Sequence, residues 1–186
     1  MSLAPDERKL TSRGQERRDE IVRVAIAKFA EQGYHPTSVA EIVDAIGVGK
    51  GVFYWYFSSK EELLRGILAD ALLDVRRYQS AAIRYESNPL TRLELGVRAS
   101  LEWLASNTAV MRLVDFAWTE DTFAADLRKG REVSIEDTAH HLNEAMSQGL
   151  IADGDARTMA VAIRGMMEEI SRVNADADVP VPADTV

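Results

Sequence analysis

The sequence predicts an all-α protein, and three observations lead to that fold class. Apolar residues recur at spacings of three and four along most of the chain, as on the buried face of a helix. The alternation of apolar and polar residues that marks a half-buried β-strand is absent. The periodic segments end at residues that commonly stop helices, such as Gly33, Gly47 and the Asn88-Pro89 pair. We therefore expect a series of helices joined by short turns.

Two short helices are predicted in the N-terminal part of the chain. The apolar stripe of the first is formed by Val22, Ala25, Ile26 and Phe29. The stripe of the second is formed by Val39, Ile42, Val43 and Ile46. The second helix opens with "SVAE", where Ser38 and Glu41 have the spacing of a capping box. Glycines follow both stripes, so each helix is expected to end there.

The rest of the chain predicts five further long helices. The first starts after "SSKEE" and runs to about residue 86. The others cover roughly residues 90–105, 108–118, 121–148 (where Gly130 is a point of interruption) and 156–173. Residues 1–14 are expected to form a flexible arm and residues 174–186 a disordered tail, because neither segment carries helical periodicity.

Composition excludes several classes of protein. Of 186 residues, 46% are hydrophobic and 28% are charged, as in ordinary globular domains. No apolar run approaches the length of about 18 residues that a membrane span needs, so no membrane partner is expected. The lack of cysteine excludes disulfides and favours a cytoplasmic location. No nucleophile and base stand at catalytic spacing and no metal-ligand set occurs, so neither an enzyme nor a cofactor is expected.

Charge is distributed unevenly along the chain. The net charge is −8, which by itself argues against a nucleic-acid partner. Residues 1–60 carry nine Lys and Arg against eight Asp and Glu, whereas residues 61–186 carry thirteen against twenty-two. No acidic residue lies between Asp44 and Glu61, and Lys50 and Lys60 fall inside that gap. The acidity therefore belongs to the second part of the chain, and a DNA-facing surface on the first part is allowed.

Five consecutive aromatic residues follow the second helix in the stretch "GVGKGVFYWYF". A helix over about residues 50–57 places Phe53 and Phe57 on one face, where they fill the small core of the first two helices. So short a helix has too little inward surface to bury all five rings. At least Tyr54 and Tyr56 are expected to face outward, with hydroxyl groups available to phosphates or base edges. A helix, a glycine turn and a short helix with an outward polar face form the helix-turn-helix pattern.

Residues 17–68 resemble the DNA-binding domain of the TetR family of transcriptional regulators. The glycine after "FAEQ", the Thr-Ser helix start, the "AIGV" turn, the "YWYF" segment and the lysine opening the next helix all fall in register. The resemblance implies an all-α protein with an N-terminal three-helix helix-turn-helix DNA-binding domain over residues 15–75. The helix-turn-helix itself would cover about residues 38–57. A C-terminal helical domain for ligand binding and dimerisation would cover residues 76–173.

The resemblance also implies which residues contact DNA. These are Lys50, Gly51, Val52, Tyr54, Tyr56 and Lys60, together with Ser38 at a phosphate near the N-terminus of the second helix. Lys50 would read a guanine edge in the major groove, and Lys60 would meet a phosphate. Three positions depart from the common pattern of the family. Gly49 replaces a capping serine, Val52 replaces a threonine, and Ala40 replaces an arginine, which leaves the operator sequence open.

Other interpretations of the same segment are weaker. Burial of all five rings would leave the flanking lysines unexplained. A phosphate-binding loop needs Gly-Lys-Ser/Thr after a strand, whereas Gly51 follows Lys50 here and a helix precedes the loop. Adjacent His140 and His141 point to different sides of a helix and do not readily bind one metal ion. A helical carrier or enzyme without DNA binding is the main alternative function, and an adaptor that uses the aromatic surface for protein binding is a third.

The second part of the chain predicts a dimer interface and an effector pocket. The last helix is apolar on more than one face, and Gly165 in its middle would permit close approach of another helix. The predicted interface residues are Leu142, Met146, Ile163, Gly165 and Met166; a purely internal core is the alternative. Apolar residues of the middle and last helices are candidates for a pocket: Trp103, Met111, Phe116, Trp118, Phe123 and Met167.

The function expected from these features is transcriptional regulation. A homodimer would bind a palindromic, double-stranded operator. The resemblance implies repression as the usual mode of action, with activation as the alternative. A small-molecule effector, expected to be largely apolar, would release the homodimer by favouring a conformation whose recognition helices no longer fit the operator.

Overall fold

The computed structural model describes residues 11–176, which form eight α-helices and contain no β-strand. The helices are α1 (Ser12–Gln32), α2 (Val39–Asp44), α3 (Lys50–Tyr56), α4 (Lys60–Ile83), α5 (Pro89–Ser106), α6 (Thr108–Thr119), α7 (Asp121–Ser147) and α8 (Ala156–Asp176). None of these helices is both long and apolar enough to span a membrane. The all-α fold class predicted from periodicity is confirmed.

The helices belong to two compact units. The first unit comprises the chain up to Ala71 together with Ala109–Ala117, and the second comprises Leu72–Thr108 and the chain from Trp118 onward. The first boundary lies close to the predicted one at residue 75. The predicted division placed residues 109–117 in the second domain, whereas long-range contacts group them with the first unit.

The first unit is held together by apolar side chains from α1, α2, α3 and the start of α4. Its fully buried side chains include Ile21, Ile42, Phe53, Leu63 and Leu64. The rings of Phe53 and Phe57 lie 5.6 Å apart, and the Arg18 guanidinium lies over the Phe57 ring. Burying each of these side chains stabilises the unit by about 1.5–3 kcal/mol.

In the second unit, α5, α7 and α8 pack against one another. Buried residues of α7 and α8, with Leu93 and Met146 at the edge, form one apolar cluster: Ile135, Leu142, Ala156 and Ala160. Gly130 does not interrupt α7. A Cβ atom at Gly130 would lie 2.7 Å from Leu72 Cδ1, so the Leu72 side chain packs closely on Gly130 and would have to move to admit a larger residue. The glycine therefore serves packing rather than a break in the helix.

The predicted helix boundaries differ from the structure by a few residues. Part of the predicted arm, residues 12–14, is helical, because Thr11 caps α1 by accepting a hydrogen bond from Gly14 N at 3.2 Å. At the other end α8 runs to Asp176, past the predicted start of the tail at residue 174. Residues 1–10 of the arm and 177–186 of the tail lie outside the described residues.

Candidate nucleic-acid interface and ligand cavity

A tight turn joins α2 to α3 and sets the start of the third helix. Gly47 has φ of +67°, a conformation that side-chain-bearing residues rarely adopt. Its N–H donates to Asp44 O at 3.1 Å, and Val48 N donates to Val43 O at 3.0 Å. Gly49 occupies the N-cap of α3 without a side-chain hydrogen bond. The turn is therefore closed by backbone hydrogen bonds, without a side-chain cap on α3.

The five aromatic residues divide between the core and the surface of α3. Phe53 is fully buried and Phe57 is 4% exposed, as the spacing predicted. Tyr54 is 54% exposed, and Tyr56 is partly buried against the Trp55 ring, with centroids 4.5 Å apart. The two phenylalanines thus anchor a short helix whose outer face carries aromatic rings.

Trp55 is not among the residues that the sequence predicts to face outward. Its side chain is 45% exposed, although tryptophan is usually largely buried. The signal was present in the sequence, because a helix that buries only two of five rings must expose the other three. Trp55 is therefore an additional candidate for the interface.

The first turn of α3 carries the other predicted contacts. Lys50 and Gly51 are exposed, and Val52 is partly exposed. Lys50 and Tyr54 are four residues apart in α3, so they share a face of the helix. A cation and a phenol next to each other suit recognition of phosphate and base edges.

Lys60 makes its hydrogen bonds inside the protein. Its Nζ donates to the carbonyl oxygens of Tyr34 at 2.8 Å, Thr37 at 2.9 Å and His35 at 3.3 Å. It also lies 4.4 Å from the centroid of the Tyr34 ring. Partial burial lowers the pKa of Lys60 below its ordinary value. An ammonium group has three donors, so no donor is left for the predicted phosphate while these bonds persist.

Ser38 is also occupied by a local interaction. Its hydroxyl accepts from Glu41 N at 3.2 Å, and its own N–H donates to Glu41 Oε2 at 2.7 Å, which completes the predicted capping box. Hydrogen bonding from the Ser38 hydroxyl and then from its backbone lowers the pKa of Glu41. A phosphate at this helix start would have to share it with the Glu41 carboxylate.

Most of the residues predicted to line the effector pocket do not line the cavity of the second unit described below. Phe116 contacts the rings of Tyr34 and His35, with centroids 5.1 Å and 5.4 Å apart, in the first unit. Trp103 and Phe123 are buried in the second unit. Phe116 is therefore grouped apart from Trp103 and Phe123, because residues 109–117 belong to the first unit, and its role in a pocket stays a prediction. Met111 is partly buried in that same segment, and Trp118 is partly buried just after it.

A cavity of about 310 Å³ lies in the second unit among α4, α5, α7 and α8. Met167 is the one predicted pocket residue among the described residues that line it. Its apolar side chains include Ile83, Leu93, Val97 and Ile163. Its charged and titratable side chains are Arg76, Arg92, Asp137, His140, His141 and Arg164. The lining of this cavity is thus more charged than the apolar pocket that the sequence predicted.

The outer face of α8 is apolar and exposed. The exposed fraction is 59% for Met166, 41% for Val161 and 39% for Met159. Nothing lies within 4 Å of a Cβ atom built at Gly165. The interface prediction is wrong for Leu142, which is 4% exposed and belongs to the core of its own chain. Met146 and Ile163 also pack against that core, although both are only partly buried.

Comparison with known proteins gives consistent relatives. Residues 21–67 match the family model described as bacterial regulatory proteins, tetR family. Over 173 residues the chain is 28% identical to the HTH-type transcriptional activator FasR of Mycolicibacterium smegmatis, covering 91% of this chain and 77% of the relative. Over 90 residues it is 42% identical to the HTH-type transcriptional repressor KstR2 of Mycobacterium tuberculosis, covering 46% of this chain and only 43% of that relative.

The solved structure of the ketosteroid transcriptional regulator KstR2 of Mycobacterium tuberculosis extends the similarity beyond the N-terminal domain. It matches with a TM-score of 0.71 at 25% identity, over 95% of this chain and 90% of that chain. The helix-turn-helix, the all-α architecture and these relatives agree. Residues 21–67 therefore carry the DNA-binding domain of the tetR family of bacterial regulatory proteins, and the chain as a whole is similar to transcriptional regulators of that family.

Proposed function

We propose that this protein binds a palindromic operator as a homodimer, represses transcription, and is released by a small-molecule effector. The observation that carries the proposal is the surface of α3, where Lys50 and Tyr54 are exposed on a helix anchored by buried Phe53 and Phe57. Helices of this kind enter the major groove in helix-turn-helix proteins. The protein would act in the cytoplasm, by binding rather than by catalysis.

Each residue of α3 has a distinct role in this proposal. Lys50 reads a guanine edge, because its ammonium group donates to the O6 and N7 acceptors of that base. Val52 contacts a thymine methyl group, and Gly51 lets the backbone approach the duplex. Tyr54, and Tyr56 more marginally, donate to phosphate or base edges.

Lys60 contributes indirectly in this proposal. Its ammonium group ties the α1–α2 loop to the start of α4 through three carbonyl oxygens. This loop leads directly into α2, so the bonds fix the entry into the helix-turn-helix. Ser38 similarly fixes the start of α2 through its capping box.

The exposed apolar face of α8 supports dimerisation. Met159, Ala162, Gly165 and Met166 recur on it at helical spacing, and the side chains are exposed in the single chain. An apolar stripe of this kind is usually covered by another surface. A second copy would complete a four-helix bundle with α7 and α8 of the first.

The proposal is tested by selecting bound fragments of genomic DNA and measuring their affinity by gel shift. The double variant Lys50→Ala/Tyr54→Ala should lose at least tenfold in specific affinity, since each good contact to a base contributes about 1–3 kcal/mol. Its fold should persist because both side chains are exposed. The matched control is Lys129→Ala/Tyr85→Ala, which removes an exposed lysine and tyrosine from the second unit. Equal loss in both double variants, or no selected sequence, would exclude the proposal.

A further inference from the structure

The cavity of the second unit has an apolar side and a charged side. Ile83, Val97 and Met167 contribute to the first, and Arg76, Arg92 and Arg164 to the second. Its volume of about 310 Å³ lies at the lower end of the range for small-molecule sites. A ligand that fills it should therefore be small and should have both an apolar body and a polar group.

The three arginines that line this cavity form separate ion pairs, and one of them, Arg164, shares its carboxylate with Arg131, which does not line the cavity. Arg76 pairs with Asp137 and Arg92 with Glu144, each at 2.8 Å. Arg164 and Arg131 share the single carboxylate of Glu168, at 3.0 Å and 3.5 Å. Two guanidinium groups thus depend on one carboxylate.

The guanidinium group of Arg164 is partly buried from solvent. Its side chain is 27% exposed, and its NH1 donates to Ser134 Oγ at 3.1 Å. Burial is the largest influence on the pKa of Arg164 and lowers it, while Glu168 opposes that change. A partly buried cation that shares its carboxylate gains from a further anion, because water solvates it poorly.

His141 supplies an unused polar atom at the same cavity. Its Nδ1 is buried and has no hydrogen-bond partner among the described residues. Burial, and next the charge of Arg92, lower the pKa of His141, so the ring is neutral at neutral pH. A neutral ring protonated at Nδ1 donates one hydrogen bond, and leaving a buried donor without a partner is unfavourable.

We propose that the effector is a small amphiphilic monocarboxylate, with its carboxylate at Arg164 and His141 and its apolar chain against Ile83, Val97 and Met167. The negative charge of the ligand offsets the positive charge of Arg164, and the carboxylate accepts the hydrogen bond of His141. The remaining volume holds a short hydrocarbon chain. This inference rests on the proposed function where it calls the ligand an effector, whereas binding of the carboxylate does not require DNA.

The test uses hexanoate, octanoate and decanoate as probes, with octanamide as the neutral control of equal chain length. Isothermal titration of the full chain at pH 7.5 should show at least one carboxylate binding tenfold or more tightly than octanamide. Arg164→Gln should reduce that preference by roughly threefold to tenfold, in line with loss of one charge contact. Equal affinities for octanoate and octanamide, or no binding of any of the three carboxylates, would overturn the proposal.

A second variant separates a specific effect from misfolding. Asp137→Asn removes a carboxylate at the cavity, so the cavity gains positive charge and octanoate should bind about twofold to fivefold more tightly. A variant that merely unfolds loses affinity, so unchanged or weaker binding in a folded Asp137→Asn protein contradicts the proposal. Gel shifts on selected DNA are run in parallel. Specific DNA binding without carboxylate binding overturns this inference alone, whereas carboxylate binding without DNA binding overturns the proposed function alone.

Discussion

At the residue scale, the structure gives Lys60 hydrogen bonds that the sequence did not predict. Its position at the start of a helix, in a segment without acidic residues, predicts a phosphate contact. In the structure its ammonium group donates to three carbonyl oxygens of the α1–α2 loop. Hydrogen bonds to a charged donor are stronger than those between neutral groups, so this position is favoured over one extended into water.

Replacing Lys60 with methionine should therefore act on stability more than on DNA contacts. Lys60→Met keeps the apolar stem but removes three charged hydrogen bonds, and we expect the free energy of unfolding to fall by about 1–3 kcal/mol. Urea unfolding measures this change, with Lys129→Met as the exposed control. The slope of log affinity against log salt should stay the same under conditions where the variant is folded. A slope lower by about one unit would instead show a direct phosphate contact.

His141 predicts a dependence of stability on pH. Its pKa is lowered by burial in the folded chain, so the unfolded chain binds the proton more readily. The contribution of His141 to stability is then complete above the ordinary histidine pKa of about 6.5 and is lost as pH falls through its lower folded value. His141→Gln should flatten the decline of unfolding free energy between pH 7 and pH 5. An identical decline in variant and parent would contradict this assignment.

At the scale of elements, two mid-helix glycines serve different purposes. Gly130 in α7 lets the Leu72 side chain pack closely on it, since an added Cβ atom would lie 2.7 Å from Leu72 Cδ1. Gly165 in α8 has nothing within 4 Å of the same added atom. Sequence alone does not separate the two cases, because each is simply a glycine inside an amphipathic helix. The same substitution at both positions should therefore have opposite consequences.

Gly165→Leu should leave the fold intact and disrupt the dimer. No clash arises within the chain, and leucine favours helix over glycine by roughly 0.5–1 kcal/mol. Sedimentation should show monomers at concentrations where the parent protein is dimeric. Circular dichroism should show that the monomeric variant keeps the helix content of the parent. An intact dimer in sedimentation would remove α8 from the interface.

Gly130→Leu is the matched substitution and should affect the chain itself. Overpacking against Leu72 should lower the free energy of unfolding by about 1–3 kcal/mol or more. The double variant Gly130→Leu/Leu72→Ala should recover part of that loss, because it removes the atoms that the new side chain meets. Additive effects of the two substitutions would show that α4 and α7 do not pack at this point.

At the scale of the whole molecule, a symmetric dimer predicts the layout of its operator. Two recognition helices entering successive major grooves require half-sites about one helical turn apart, roughly 34–36 Å. Inserting five base pairs between selected half-sites turns the second onto the opposite face of the duplex. We expect at least a tenfold loss of affinity in fluorescence anisotropy. Unchanged affinity would mean that the protein binds each half-site independently.

The sequence by itself determined the elements and the nature of the DNA-binding domain. Helical periodicity predicted seven of the eight helices, the room between α2 and α4 predicted the short α3, and the capping box at Ser38 and Glu41 formed as its spacing required. The sequence also predicted which rings of the aromatic run are buried, because a helix of seven residues turns only one face to the core. These features depend on neighbours three or four residues apart, so the sequence contains the information that decides them.

Only the tertiary structure decided which distant residues share a site. It assigned residues 109–117 to the first unit, buried Leu142 in its own core, and directed Lys60 to carbonyl oxygens 23 to 26 residues away in sequence. It also brought charged residues of four helices together around the cavity. None of these charged residues was predicted to line a pocket. Such groupings depend on how helices pack against one another, and many different arrangements satisfy the same periodic pattern. The physical reason is that periodicity specifies which face of a helix is buried, but not which residues will cover it.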